Sequence, residues 1–126
     1  MFLKLFEPGL IGKVVLKNRV VMTPIAIGGF LDPDGGLSQR AREYYVARAK
    51  GGVGLIDTGT LFVTAALETG LFRPAWQAPV LDDRGKLSRL SELADEVHHY
   101  GTKLCVQLSP GVGRIAVLDL ERKYTK

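Results

Sequence analysis

Three short apolar segments, each ending in small or hydroxyl-bearing residues and separated from the next by a helical pattern, constrain this chain more than any other feature. Arg19-Val20-Val21-Met22 runs into Thr23-Pro24-Ile25-Ala26-Ile27-Gly28-Gly29, where proline stops a strand ladder and glycines open a loop. Gly54-Leu55-Ile56-Asp57 runs into Thr58-Gly59-Thr60, and Lys103-Leu104-Cys105-Val106-Gln107 runs into a glycine-rich turn that ends at Arg114. Strands that are apolar on both faces and alternate with helices pair in parallel, with the helices packed outside. The expected fold class is therefore α/β, with the repeat of a β/α barrel.

The intervening helices have clear signals. Ser38 is placed to cap a helix over 39–50, in which Ala41, Tyr45 and Ala49 recur at helical spacing before Gly51-Gly52 stops it. Asp82 or Asp83 is placed to cap a second helix whose stripe is Leu87, Leu90, Leu93, Ala94 and Val97, with Gly101 as its end. Ahead of the first strand, residues 1–18 read as two short extended pieces with Gly9 and Gly12 at the turn, a hairpin cap. Lys4, Glu7 and Lys13 interrupt any apolar core there, and no small-residue cleavage site follows, so a targeting sequence is not expected. The polar stretch 121–126 has neither cap nor core stripe.

Chemistry is expected where the strands stop. Gln107 reads as a buried-position amide at the end of an apolar strand, able to donate and accept in one plane as the edge of a heteroaromatic ring requires. Gly111 and Gly113 would let backbone approach a flat ligand without Cβ obstruction. The segment fits a flavin or a nucleobase, and equally an ordinary satisfied glutamine beside a simple glycine turn.

Other candidate motifs fail on their own chemistry. Asp32-Pro33-Asp34-Gly35-Gly36 resembles the start of a calcium loop, but Leu37 stands where glycine is required, so a plain turn is expected. His98 and His99 are adjacent on a helix and point to different faces, which suits surface residues and not a zinc pair. Gly51-Gly52-Val53-Gly54 precedes its strand, whereas a dinucleotide fingerprint follows one. The single cysteine excludes an internal disulfide, and Cys105, inside an apolar strand, is expected to be a buried, inert thiol. No metal site is expected.

With 46% apolar and 24% charged residues the chain can build a core. Its net charge of +4 is spread over Arg40, Arg42, Arg48, Lys50, Lys86, Arg89 and the tail, which reads as solvated helix faces and not as a nucleic-acid surface. No apolar run approaches the roughly 18 residues of a membrane span. The expected setting is cytoplasmic, with neither nucleic acid nor membrane as a partner.

Together these segments resemble the Old Yellow Enzyme family of NADH:flavin oxidoreductases and ene-reductases, which includes the 2-enoate and 2,4-dienoyl-CoA reductases. The resemblance covers nearly the whole chain. It is carried by Leu5-Phe6-Glu7-Pro8, by the run from Leu16-Lys17-Asn18-Arg19 to Met22-Thr23-Pro24, by Tyr44-Tyr45 with Gly51-Gly52-Val53-Gly54-Leu55-Ile56, and by Gln107-Leu108 to Gly113-Arg114. It implies a TIM (β/α)8 barrel with FMN at the C-terminal ends of the strands. On that reading residues 1–126 are the N-terminal hairpin and about three β/α units of a single FMN-binding domain, incomplete as given because a whole barrel takes about 250 residues.

The resemblance also implies roles. Thr23, Pro24, Ile25 and Ala26 would lie along one face of the isoalloxazine, Thr60 nearby, and Gln107 would hydrogen-bond the pyrimidine end of the ring. Ala26 stands where one branch of the family carries a redox-tuning cysteine, Thr60 where a smaller residue is usual, and Ser109-Pro110 in place of a histidine-containing turn. The implied flavoprotein takes hydride from NADH or NADPH and reduces activated C=C bonds of enones, enoates or enoyl-CoA-type substrates. An iron–sulfur cluster and FAD would belong only to a longer chain with further domains, and a homo-oligomer is left open. No catalytic residue is expected within this segment, since the family's substrate-anchoring and proton-donating residues lie further along. The alternative is a non-catalytic α/β fragment that needs a partner chain or the rest of the barrel.

Overall fold

The computed structural model describes residues 2–25, 30–63 and 79–110. A single 3-10 turn (Leu3–Leu5) leads into strands β1 (Gly9–Ile11) and β2 (Val14–Leu16), which pair antiparallel with Gly9 opposite Leu16. The reversal between them is made at Gly12, whose φ of 57° lies in the left-handed region that favours glycine. The expected hairpin is present, but Gly9 belongs to a strand and not to the turn. Only Leu16 of the hairpin strands is buried.

Three parallel strands follow, β3 (Val21–Met22), β4 (Leu55–Asp57) and β6 (Lys103–Cys105), in the order β3-β4-β6. Their register aligns Val21, Leu55 and Lys103 in one row and Met22, Ile56 and Leu104 in the next. Helix α1 (Gln39–Lys50) connects β3 to β4, and helix α2 (Arg84–His99) precedes β6. A second, shorter parallel pair lies beyond the first: β5 (Leu61–Phe62) beside β7 (Leu108–Ser109), with Phe62 also bridged to Val80. This pair was not anticipated, because Leu61-Phe62 and Leu108-Ser109 are too short to show a period.

The caps act as their chemistry dictates. The Ser38 hydroxyl accepts from the Ala41 N–H and donates to the Phe30 carbonyl, so one side chain starts α1 and ties it to the preceding loop. Of the two candidates for α2, Asp83 is the cap, accepting from the Lys86 N–H at 2.9 Å. Both helices pack on one side of the sheet, where Ala41, Tyr45, Ala49, Leu93 and Val97 close over Ile56. Burial of this apolar surface is the main stabilising term, at roughly 25 cal/mol per Å².

The opposite side of the sheet is the main departure from expectation. Strand residues alternate faces. Met22, Ile56 and Leu104 pack into the helix-covered core, while Val21, Lys103 and Cys105 are exposed. Cys105 is therefore not the buried thiol its apolar surroundings suggested, since its parity turns it away from the helices. Leu87 likewise leaves the α2 stripe and stands half exposed, whereas Leu93 and Val97 are buried.

Charged residues also do more than solvate helix faces. Arg42 of α1 pairs with Glu92 and Glu96 of α2, binding the helices together. Arg89 reaches Asp32 and Asp34 in the turn between Leu31 and Leu37, so the expected plain turn is anchored to α2. Lys86 is only 7% exposed and is held by Asp82 and Asp83. No helix among the described residues is long and apolar enough to cross a membrane.

Candidate functional site

Because β3, β4 and β6 are parallel and in register, the segments that leave them emerge on the same side. These are Thr23-Pro24-Ile25 after β3, Thr58-Gly59-Thr60 after β4 and Val106-Gln107 after β6. Thr23, Pro24 and Ile25 are exposed, and Ala26 lies outside the described residues, as does the turn from Gly111 to Arg114.

The two later segments are knitted together. The Thr58 N–H donates to the Cys105 carbonyl at 3.0 Å, and the Gln107 N–H donates to the Thr58 hydroxyl at 3.3 Å. The Leu61 N–H donates to the Gln107 carbonyl at 2.9 Å. Finally the Thr60 hydroxyl donates to the Gln107 side-chain oxygen Oε1 at 3.0 Å. Gln107 is thus gripped at its N–H, its carbonyl and its side chain by one short segment, Thr58 to Leu61. It lies just past the end of β6 and is exposed, a correction to the buried position its apolar strand suggested. Its parity, shared with Lys103 and Cys105, puts it on the face away from the helices.

Two supporting residues were missed at the sequence level. Thr58 is fully buried, and its hydroxyl is the acceptor that seats Gln107. Tyr45, placed in the helical stripe as a core residue, also presents its hydroxyl to the Gly59 N–H at 3.2 Å. The signal was present in its type, because a buried tyrosine hydroxyl needs a hydrogen-bond partner. Burial pushes the Tyr45 hydroxyl above its ordinary pKa, with the Gly59 hydrogen bond acting in the opposite direction.

The side chains of Thr60 and Gln107 are uncharged. The Gln107 nitrogen Nε2 has no partner among the described residues, and the Thr60 bond engages only the oxygen end of the amide. No cluster of three metal-binding side chains occurs among the described residues. The arrangement can orient a planar ligand with a polar edge. The fold is that of a β/α protein, a class whose parallel sheets hold their ligands at the C-terminal ends of the strands.

Comparison with known proteins supplies the chemistry of the class. The chain belongs to the NADH:flavin oxidoreductase / NADH oxidase family, which matches it over residues 4–125. It is 39% identical over 119 residues to the cinnamate reductase of Clostridium sporogenes, covering 94% of this chain and 18% of that protein. It is 42% identical over 107 residues to the NADH oxidase of Thermoanaerobacter brockii, covering 85% of this chain and 16% of that protein. In structure it is similar to the Old Yellow Enzyme from Pichia sp. AKU4542, with a TM-score of 0.71, 28% identity, and coverage of 83% of this chain and 26% of that one. The chain therefore spans about a fifth or less of the two curated relatives.

Proposed function

We propose that this chain supplies the flavin-ring contacts of an FMN-dependent oxidoreductase that takes hydride from NADH or NADPH and reduces activated C=C bonds. Enones, enoates and enoyl-CoA-type compounds are the proposed substrates, and the named cinnamate reductase, a protein that acts on an enoate, supports that class. The three parallel units are read as part of an eight-unit barrel, with Thr23, Pro24, Ile25, Ala26, Thr60 and Gln107 at the ring.

The observation that carries this reading is the Gln107 amide held beside Thr60 at the aligned strand ends. The donor set fits the group. A flavin ring offers an uncharged edge of carbonyl and N–H groups and two flat faces, and the site offers an amide, the exposed Thr23 hydroxyl and the small apolar surface of Pro24 and Ile25. When bound, FMN supplies the hydride-transfer chemistry, and the protein supplies binding, orientation and electrostatics. Gln107 Nε2 would donate to the polar edge, and the exposed side chains after β3 would pack along a face. Among the described residues none is assigned to substrate protonation.

The test is made on the protein expressed from its complete coding sequence. It should purify with a flavin absorbance band that bleaches anaerobically with NADH or NADPH and returns on addition of an α,β-unsaturated carboxylate, with the saturated acid as product. A preparation that takes up no flavin, or a bound flavin that neither nicotinamide bleaches, would contradict the proposal.

A further inference from the structure

We infer that Thr60 is a positioning residue, whose hydroxyl decides which end of the Gln107 amide is turned to the ligand. The inference rests on the reading of Gln107 as a ring ligand and adds to it a specific partner.

The backbone of Gln107 is already fixed, since its N–H is bound to the Thr58 hydroxyl and its carbonyl to the Leu61 N–H. The side chain keeps its freedom, and the last torsion of a glutamine is broad and roughly two-fold. Left alone on an exposed residue, the amide would present its oxygen about as readily as its nitrogen. The Thr60 hydroxyl breaks that symmetry by donating to Oε1 at 3.0 Å, which leaves both N–H bonds of Nε2 for the ligand. A donor on the oxygen also polarises the amide, strengthening the hydrogen bonds its nitrogen gives.

A donor facing the ring edge favours whichever redox form carries more negative charge there, which is the reduced one. Thr60 should therefore act on flavin potential through Gln107, without touching the ring through its own hydroxyl. Valine has the shape of threonine without the hydroxyl, and serine has the hydroxyl without the methyl, so the pair separates chemistry from packing.

The experiment compares Thr60→Val, Thr60→Ala and Thr60→Ser, each with and without Gln107→Leu, in the flavin-loaded protein expressed from its complete coding sequence. The readouts are flavin dissociation constant and two-electron reduction potential. Thr60→Val should weaken flavin binding roughly three- to tenfold, the range of one hydrogen bond. The potential should fall by as much as about 30 mV, the equivalent of tenfold for a two-electron couple. Thr60→Ser should restore both values, and neither Thr60→Val nor Thr60→Ala should add a further loss on top of Gln107→Leu. If Thr60→Val fails to fold, Thr60→Ala against Thr60→Ser gives the same contrast. Equal losses in the presence and absence of Gln107→Leu, or an unchanged potential in Thr60→Val and Thr60→Ala while Gln107→Leu lowers it, would overturn the role of Thr60 alone. No effect of Gln107→Leu itself would overturn the ring site and this inference together.

Discussion

The hydroxyl of Tyr45, on the inner stripe of α1, accepts a hydrogen bond from the Gly59 N–H at 3.2 Å and so ties the helix to the segment that carries Thr60. Tyr45 is 1% exposed, so nothing from solvent replaces that bond when it is lost. Tyr45→Phe should destabilise the fold by about 1–3 kcal/mol, the range for a buried polar group left unsatisfied. The sign with pH follows from burial, which raises the hydroxyl's pKa in the folded state. Its contribution is whole below the unfolded tyrosine value, about 10, and is lost as pH rises through the folded value. Urea titrations should show the gap between wild type and Tyr45→Phe narrowing above that pH.

Gly54, just before β4, lies close against Asn18 in the lead-in to β3. A Cβ on Gly54 would lie 2.5 Å from the Asn18 carbonyl oxygen, a backbone atom that cannot swing aside. Asn18 is itself fixed, its Nδ2 donating to the Gly52 carbonyl at 2.7 Å, and the Gly54 N–H donates to the Val20 carbonyl at 2.9 Å. Gly54→Ala should cost about 1–3 kcal/mol through forced backbone shifts, measured as a lowered denaturation midpoint.

Leu87 and Leu93 belong to the same apolar stripe by sequence, yet one is 50% exposed and the other 1%. Leu93→Ala should lose about 2–5 kcal/mol and Leu87→Ala within about 0.5 kcal/mol. Thermal melts of the two variants under one set of conditions check the contrast.

That pair shows what periodicity resolves. The Ser38 cap, a second cap at Asp82 or Asp83, the parallel pairing of β3, β4 and β6 and the N-terminal hairpin are all legible, because each depends on local chemistry or on strand and helix lengths. Which side of a strand is covered is not. A run such as Leu104-Cys105-Val106 is apolar at every position, so only the placement of the helices separates the packed Leu104 and Val106 from exposed Cys105 and Gln107. Gln107 could be singled out by its type at a strand end, but its grip by Thr58, Thr60 and Leu61 joins residues far apart in the chain that no spacing rule connects.

Acid should act on the second helix. The Asp83 carboxyl is held below the usual aspartate range by the backbone hydrogen bond from Lys86, and Asp34 is lowered by its hydrogen bond with Arg89. A lowered folded pKa gives stability that is present above the unfolded value, about 3.9, and lost as pH falls through the folded value. Asp83→Asn keeps a capping oxygen but cannot titrate. Its melting temperature should therefore fall less steeply than that of the wild type below about pH 4.

Whether Gln107 binds the ring of a flavin is the central question, and the flavin-to-protein ratio and redox titration of purified Gln107→Leu answer it most directly. Leucine keeps the volume roughly but removes the hydrogen-bonding partner of the polar ring atoms, at a cost of about 1–3 kcal/mol if the bound ring shields them from water. Flavin content and reduction potential are both expected to fall. Unchanged values in both, with only thermal stability altered, would contradict the ring contact and return Gln107 to the status of an ordinary strand-end glutamine.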